Sequence, residues 1–180
     1  HKSQLVITGG EITSLESYAI YHPQYFQTDS KNTSSNGRFE ISGGKVIGKL
    51  GVIKMGGAEP TTASSCTDLY LLIAGGELIS HSDHIVYIDA VCNKGDTQQI
   101  KVTGGKFENA TMGYFCKVEK TEKTKGTVRP TYLSGGTYKN ISTTSFMFDT
   151  TTSKVFAKAT YSTGYKYNDN TNGTWSVIAK

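Results

Sequence analysis

The chain has 180 residues, only 19% of them charged, and a formal net charge of +4 at pH 7. The positive excess comes from scattered lysines with just two arginines, Arg38 and Arg129, and no basic run or aromatic-basic motif, which argues against a nucleic-acid groove. No apolar run reaches the roughly 18 residues of a helical membrane span, and 20 glycines with 3 prolines suit one domain with many tight corners.

In chain order, five segments share one frame: LVITGGEI, FEISGGKV, LLIAGGEL, IKVTGGKF and TYLSGGTY. Their first glycines are Gly9, Gly43, Gly75, Gly104 and Gly135, at steps of 34, 32, 29 and 31 residues. Repeats of that length mark an architecture in which each unit buries its apolar face only by stacking on its neighbours. Four residues before the first glycine stand Leu5, Phe39, Leu71, Ile100 and Thr131; two before it stand Ile7, Ile41, Ile73, Val102 and Leu133. The residues between are mixed, as expected of strands with one buried face. Three residues after the first glycine the chain is apolar again, at Ile12, Val46, Leu78, Phe107 and Tyr138. The glycine pair therefore turns a corner while the chain keeps facing inward.

A second apolar stretch follows in each unit, at Tyr18-Ala-Ile-Tyr21, Gly51-Val-Ile53, Ile85-Val-Tyr-Ile88, Tyr114-Phe-Cys116 and Phe146-Met-Phe148. Polar segments of variable length come next, such as His22 to Gly37, Gly56 to Asp68 and Glu119 to Thr127. The pair Gly56-Gly57 breaks the pattern, because Lys54 stands where an apolar column residue belongs. The expected fold is all-β: a parallel β-helix, or solenoid, of about five coils, each with three short strands and a variable loop at one corner. A β-sandwich with chance glycine pairs would not hold one inward register over five copies. The residue after each pair runs Glu11, Lys45, Glu77, Lys106, Thr137, an alternation of sign suited to a solvent-facing ladder. The repeats are expected over 1–160, with 161–180 as a C-terminal strand or cap of the same domain. Trp175, the single Trp, is expected to close the last coil. An uncapped solenoid end exposes its core and strand edge, so capping material or further coils are expected before His1.

The segment Thr163 to Tyr167 (TGYKY) and Asn172 to Val177 (NGTWSV), after repeats of the type Ser134 to Tyr138 (SGGTY), resembles the GGxF/Y repeats of large bacterial cell-surface proteins. The resemblance covers the five glycine-pair units and this tail. It implies a pectate-lyase-like, right-handed parallel β-helix, an extracellular or cell-surface location, and an adhesin or stalk role.

Polysaccharide lyases and hydrolases on such a fold need clustered acids. Here the aspartates are scattered over different units. The most chemical-looking cluster is His81-Ser82-Asp83-His84, near Asp89. Two His and an Asp are metal-ligand types, yet a spacing of three on a short strand or loop points the histidines apart, and a solvated polar turn is the expected reading. No nucleophile elbow accompanies them, so neither a catalytic residue nor a cofactor is assigned. Cys66, Cys92 and Cys116 are odd in number without CxxC spacing, which argues against a disulfide framework or zinc site. Cys92 and Cys116 are expected to be buried small hydrophobes. Sequons occur at Asn32, Asn109, Asn140 and Asn172.

Binding is the better expectation. The outer face of the first strands presents Arg38, Tyr70, Leu72, Lys101 and Tyr132, an aromatic-basic strip suited to stacking on sugar rings; Arg38, Tyr70, Lys101 and Tyr132 are the candidate ligand-binding residues. The loop from His22 to Gly37, with Tyr25 and Phe26, is a second candidate surface. The expected function is a non-catalytic extracellular adhesin or spacer, with host or microbial glycans or surface proteins as partners. The alternatives are a polysaccharide-degrading β-helix enzyme and a phage tail-fibre segment.

Overall fold

The computed structural model describes residues 4–23, 26–27, 37–56, 65–66, 69–89, 97–119, 127–128 and 131–180. Their strands form a parallel β-solenoid with no helix among the described residues. The third unit shows the plan most clearly. A first strand, Leu69–Ile73, meets the corner at Gly75-Gly76; a second, Glu77–Ser80, leads through a turn into a third, His84–Asp89. In other units two of these fuse across a corner, as in Gln4–Ser14, Gly37–Gly48 and Lys106–Val118.

Stacking follows the register expected from the glycine frame. Leu5 pairs with Phe39, Phe39 with Leu71, and Leu71 with Ile100; Ile7, Ile41, Ile73, Val102 and Leu133 form the next column, and Ile12, Val46, Leu78, Phe107 and Tyr138 the third. From Phe39 onward these side chains are all buried, each contributing on the order of 1.5–3 kcal/mol. Thr131 completes the first column and is also buried, its hydroxyl donating to Met147 Sδ at 3.7 Å. Glu11, Lys45, Glu77, Lys106 and Thr137 sit opposite one another in sequence, so the alternating-charge ladder is a register feature of the sheet. Two positions further on, Lys139 Nζ donates to Glu108 at 2.8 Å.

The corner explains the glycines. A Cβ on Gly43 would lie 2.2 Å from the Thr8 carbonyl oxygen; on Gly75, 2.3 Å from that of Ser42; on Gly104, 2.4 Å from that of Ala74; on Gly135, 2.1 Å from that of Thr103. The second glycine of each pair has φ between +79° and +103°. The first glycine thus admits the backbone of the preceding coil, and the second makes the turn.

The solenoid body is about three turns rather than five. Among the described residues, the units opening at Gly37, Leu69 and Thr97 have a full coil as parallel neighbour on both sides of the first sheet, whereas Tyr132–Leu133 of the fifth has Thr97–Val102 on one side and only the two-residue parallel strand Thr160–Tyr161 on the other. The first unit has a neighbour on one side, and the fifth is closed differently. There, Thr174–Ala179 pairs antiparallel with Thr137–Ile141 and with Tyr165–Asp169, while Lys154–Ala157 pairs antiparallel with Met147–Asp149. Trp175 lies over the last coil as expected. Its ring stacks on Tyr138 with centroids 4.0 Å apart, and its Nε1–H donates to the Ile141 carbonyl at 2.7 Å. Below it the core is aromatic: Phe107 stacks on Tyr138 at 4.9 Å and Phe115 on Phe146 at 4.8 Å.

Cys116 is buried, as expected, and burial pushes its thiol pKa up, so it behaves as a small hydrophobe. Cys92 lies outside the described residues, as does the side chain of Cys66. Asn109 is fully buried, donating from Nδ2 to the Tyr114 carbonyl at 2.9 Å, so its sequon is closed off in the folded chain; Asn32 lies outside the described residues.

Candidate functional site

Two outward surfaces gather polar and aromatic side chains. The first is the outer face of the sheet built from Gln4–Ser14, Gly37–Gly48, Leu69–Ile73, Thr97–Val102 and Tyr132–Leu133. The sequence-predicted residues fall here in two columns and not in one strip. Arg38 is opposite Tyr70, and Tyr70 opposite Gln99; Leu72 is opposite Lys101, and Lys101 opposite Tyr132. The columns are two residues apart along each strand, hence on the same face. Lys101 is exposed and Tyr132 is 49% exposed, while Tyr70 and Leu72 are half-buried. The Arg38 side chain lies outside the described residues. An open groove of about 560 Å³ runs over the stacked corners beside Lys106, Thr137 and Ser176.

The second surface surrounds His84, and sequence reasoning found only part of it. The turn at His81 to Asp83 exists and His81 is exposed, but His84 opens the next strand and is buried. The two histidines do not converge. Among the described residues no group of three or more His, Cys, Asp or Glu side chains is placed to hold a metal ion.

Instead, His84 belongs to a chain of hydrogen bonds drawn from three coils. Tyr18 Oη lies 3.0 Å from Nε2, Asp83 Oδ1 lies 2.9 Å from Nδ1, and Lys117 Nζ donates to Asp83 Oδ2 at 2.8 Å. Asp83 is strongly placed to accept, so Nδ1 carries the imidazole proton and Nε2 accepts from the Tyr18 hydroxyl. Burial holds the His84 pKa below its usual value, aided by the Lys117 charge and only partly opposed by Asp83. For Asp83, burial pushes up, but hydrogen bonds from Lys117 and His84, with their charges, hold the carboxyl below its usual value.

Register explains how Tyr18 reaches so far. Tyr18 pairs with Gly51, and His84 pairs with Tyr114, in the sheet built from Tyr18–Pro23, Gly51–Gly56, His84–Asp89 and Lys106–Val118. Ile53 opposite Val86 sets Gly51 beside His84 in the same column. Gly51 leaves the intervening rung without a side chain, and the Tyr18 ring leans across it. A Cβ there would lie 2.6 Å from Tyr18 Cε1 and 3.0 Å from His84 Nε2.

Three residues along runs a second column, Tyr21, Lys54, Tyr87, Lys117 and Phe148, in which aromatic and cationic residues alternate. Lys54 Nζ lies 5.9 Å from the Tyr21 ring centre and 5.7 Å from that of Tyr87, within cation–π range. The Tyr87 hydroxyl donates to Glu119 Oε2. The signal for this surface was present: the second apolar stretches, aligned from Tyr18, Gly51, His84 and Tyr114 and not from their first apolar residue, display both columns.

Comparison with protein-family models, with curated proteins and with solved structures finds no match for this chain. Among the described residues no helix is long and apolar enough to cross a membrane. The candidate loop from His22 to Gly37 falls largely outside the described residues, Tyr25 included.

Proposed function

We propose that the chain is a non-catalytic extracellular adhesin or spacer module that binds glycans through the outer face of its first sheet. The observation that carries this reading is the Lys101–Tyr132 pair. The two are exposed and directly opposite on neighbouring coils of a sheet whose inner face is packed solid. A phenol ring offers a flat apolar face to a sugar ring, and an ammonium donates to hydroxyls or carboxylates. Both stand on a rigid scaffold, so little ordering cost is added on binding. The likeness of the glycine-pair repeats and the NGTWSV tail to pectate-lyase-like modules of bacterial cell-surface proteins supports the extracellular location and a right-handed winding.

A glycan array of mucin, pectic and bacterial polysaccharides is expected to reveal weak binding. Changing Tyr70 and Tyr132 together to Ala should lower the signal at least about tenfold, since stacking energies of about 1–3 kcal/mol are at stake. The buried neighbours Leu71 and Leu133 are untouched, so the fold survives. No change in binding on that double substitution removes the site and leaves the spacer role alone.

A second reading, a polysaccharide-degrading enzyme, draws on the order hydroxyl, imidazole, carboxylate in Tyr18, His84 and Asp83. That is the order in which a base is oriented toward a nucleophile. The two readings part in one assay: incubation with the same polysaccharides, with and without calcium, releases no reducing or unsaturated ends if the module only binds. Turnover lost on His84→Ala would make the His84 cluster the site of an enzyme.

A further inference from the structure

The two ends of the solenoid are unlike. The C-terminal end is closed by antiparallel strands and Trp175. At the other end, among the described residues, the strand Gln4–Ser14 has a neighbour only on the side of Gly37–Gly48. Its core-column residues are open: Leu5 is 49% exposed and Ile12 36%, whereas their counterparts Phe39, Leu71, Val46 and Leu78 are fully buried.

Gly9 adds a more specific sign. In the other four units the first glycine of the pair is required because the carbonyl of the preceding coil lies 2.1–2.4 Å from where its Cβ would be. At Gly9 nothing among the described residues lies within 4 Å of that point, and its φ is not positive. The described residues give no reason for glycine there, although glycine in a strand interior costs stability. A backbone carbonyl arriving from the open side supplies the reason. Glu11 points to the same visitor. Each interior charge of its ladder faces the opposite sign in the neighbouring coil, Glu11 to Lys45, Lys45 to Glu77 and Glu77 to Lys106, and on the open side Glu11 calls for a lysine.

We infer that the N-terminal edge is a docking surface for a further parallel β-coil of the same repeat type. The partner carries apolar residues at the three column positions over Leu5, Ile7 and Ile12, a small residue whose carbonyl seats at Gly9, and a lysine over Glu11. A second copy of this chain cannot supply that coil by stacking head to tail, because its C-terminal end is closed. The inference is independent of glycan binding.

The test uses the whole chain and a synthetic peptide with the sequence of residues 37–56, which has Phe39, Ile41, Lys45 and Val46 at the four required positions. Saturable 1:1 binding by fluorescence anisotropy is expected, with slowed amide exchange confined to Gln4–Ser14. Gly9→Ala should leave the thermal midpoint of the protein unchanged or slightly higher and weaken the peptide at least about tenfold, because the new methyl occupies the place of the carbonyl. A peptide with Lys45→Glu should bind about fivefold more weakly. Absence of binding, or binding indifferent to Gly9→Ala, overturns the inference. So does a head-to-head dimer in sedimentation that protects Gln4–Ser14 without peptide, since the occupant is then a second copy.

Discussion

His84 shows how one side chain acquires its state from its surroundings. It is buried, its Nδ1–H is fixed by Asp83, and its Nε2 accepts a hydrogen bond from the Tyr18 hydroxyl. Lys117 and the rings of Tyr18 and Tyr87 complete its surroundings, so a proton added at Nε2 would place a second charge in a buried site, close to that of Lys117, and force the Tyr18 hydroxyl to turn from donor to acceptor. The folded chain therefore resists protonation more than the unfolded chain does. As pH falls below the ordinary imidazole value of 6.5, the unfolded state binds a proton that the folded state refuses, and stability drops. Asp83 acts in the same direction further down. Its folded pKa lies below the usual 3.8, so its contribution is present above that value and fades as pH falls past it. The expected outcome is a thermal midpoint that declines from pH 7 to pH 5 in the native protein and declines measurably less in His84→Gln. Parallel pH profiles for the two would mean that His84 is not held neutral by the fold.

Between coils, Gly51 and Tyr18 act as one device. The absent side chain on the middle rung lets a tyrosine from the first coil bond to a histidine on the third, tying a terminal unit to the solenoid body. Gly51→Ala is expected to cost roughly 1–3 kcal/mol, as overpacking does. In a background of Tyr18→Ala the same substitution should cost much less, because the ring it strikes is gone, and denaturant unfolding of the four proteins in this cycle measures the coupling. Additive costs would show that the ring contact is not what excludes a side chain at residue 51. This device also marks how far the sequence could be read. The first two column sets and the corner were legible because five copies repeat one frame, and period two leaves no choice of face. The His84 cluster was not, because its members come from different units at non-repeating positions. Tyr18, Gly51 and His84 share a column but no chemistry, and Lys117 enters from one rung beyond. The Arg38, Tyr70, Lys101 and Tyr132 strip was legible as a face but not as two columns, since the offset between −5 and −3 from the glycine becomes visible only once the rungs are stacked. The coil count was overread for a related reason: each glycine pair marks a corner, but a terminal unit without a full parallel coil on both sides does not make a full internal turn.

For the whole molecule, stability is the sum of coil-on-coil interfaces, and these are not equal along the axis. Among the described residues the first unit has one neighbouring coil, and its Leu5 and Ile12 are exposed; the column through His22, Met55, Ile88, Val118 and Asp149 is polar at both ends and apolar between. At the far end Asp149 is buried but satisfied, accepting from the Thr151 and Thr152 amides at 3.0 and 3.3 Å, and Trp175 covers the aromatic stack. At the near end His22 Nδ1 is buried without a partner among the described residues. Opening should therefore begin at Gln4–Ser14 and travel toward the C-terminal cap. Native-state amide exchange is expected to rank the strands in that order, with Gln4–Ser14 least protected and the amides of Phe107, Phe115 and Tyr138 closest to the global limit. Trp175→Ala should cost about 3–5 kcal/mol and invert the gradient, making the last coil the first to open. Uniform exchange across all rungs, or a Trp175→Ala protein whose loss of protection is spread evenly from Phe39 to Tyr138, would show that the solenoid melts as a single unit and that its two ends do not differ in stability.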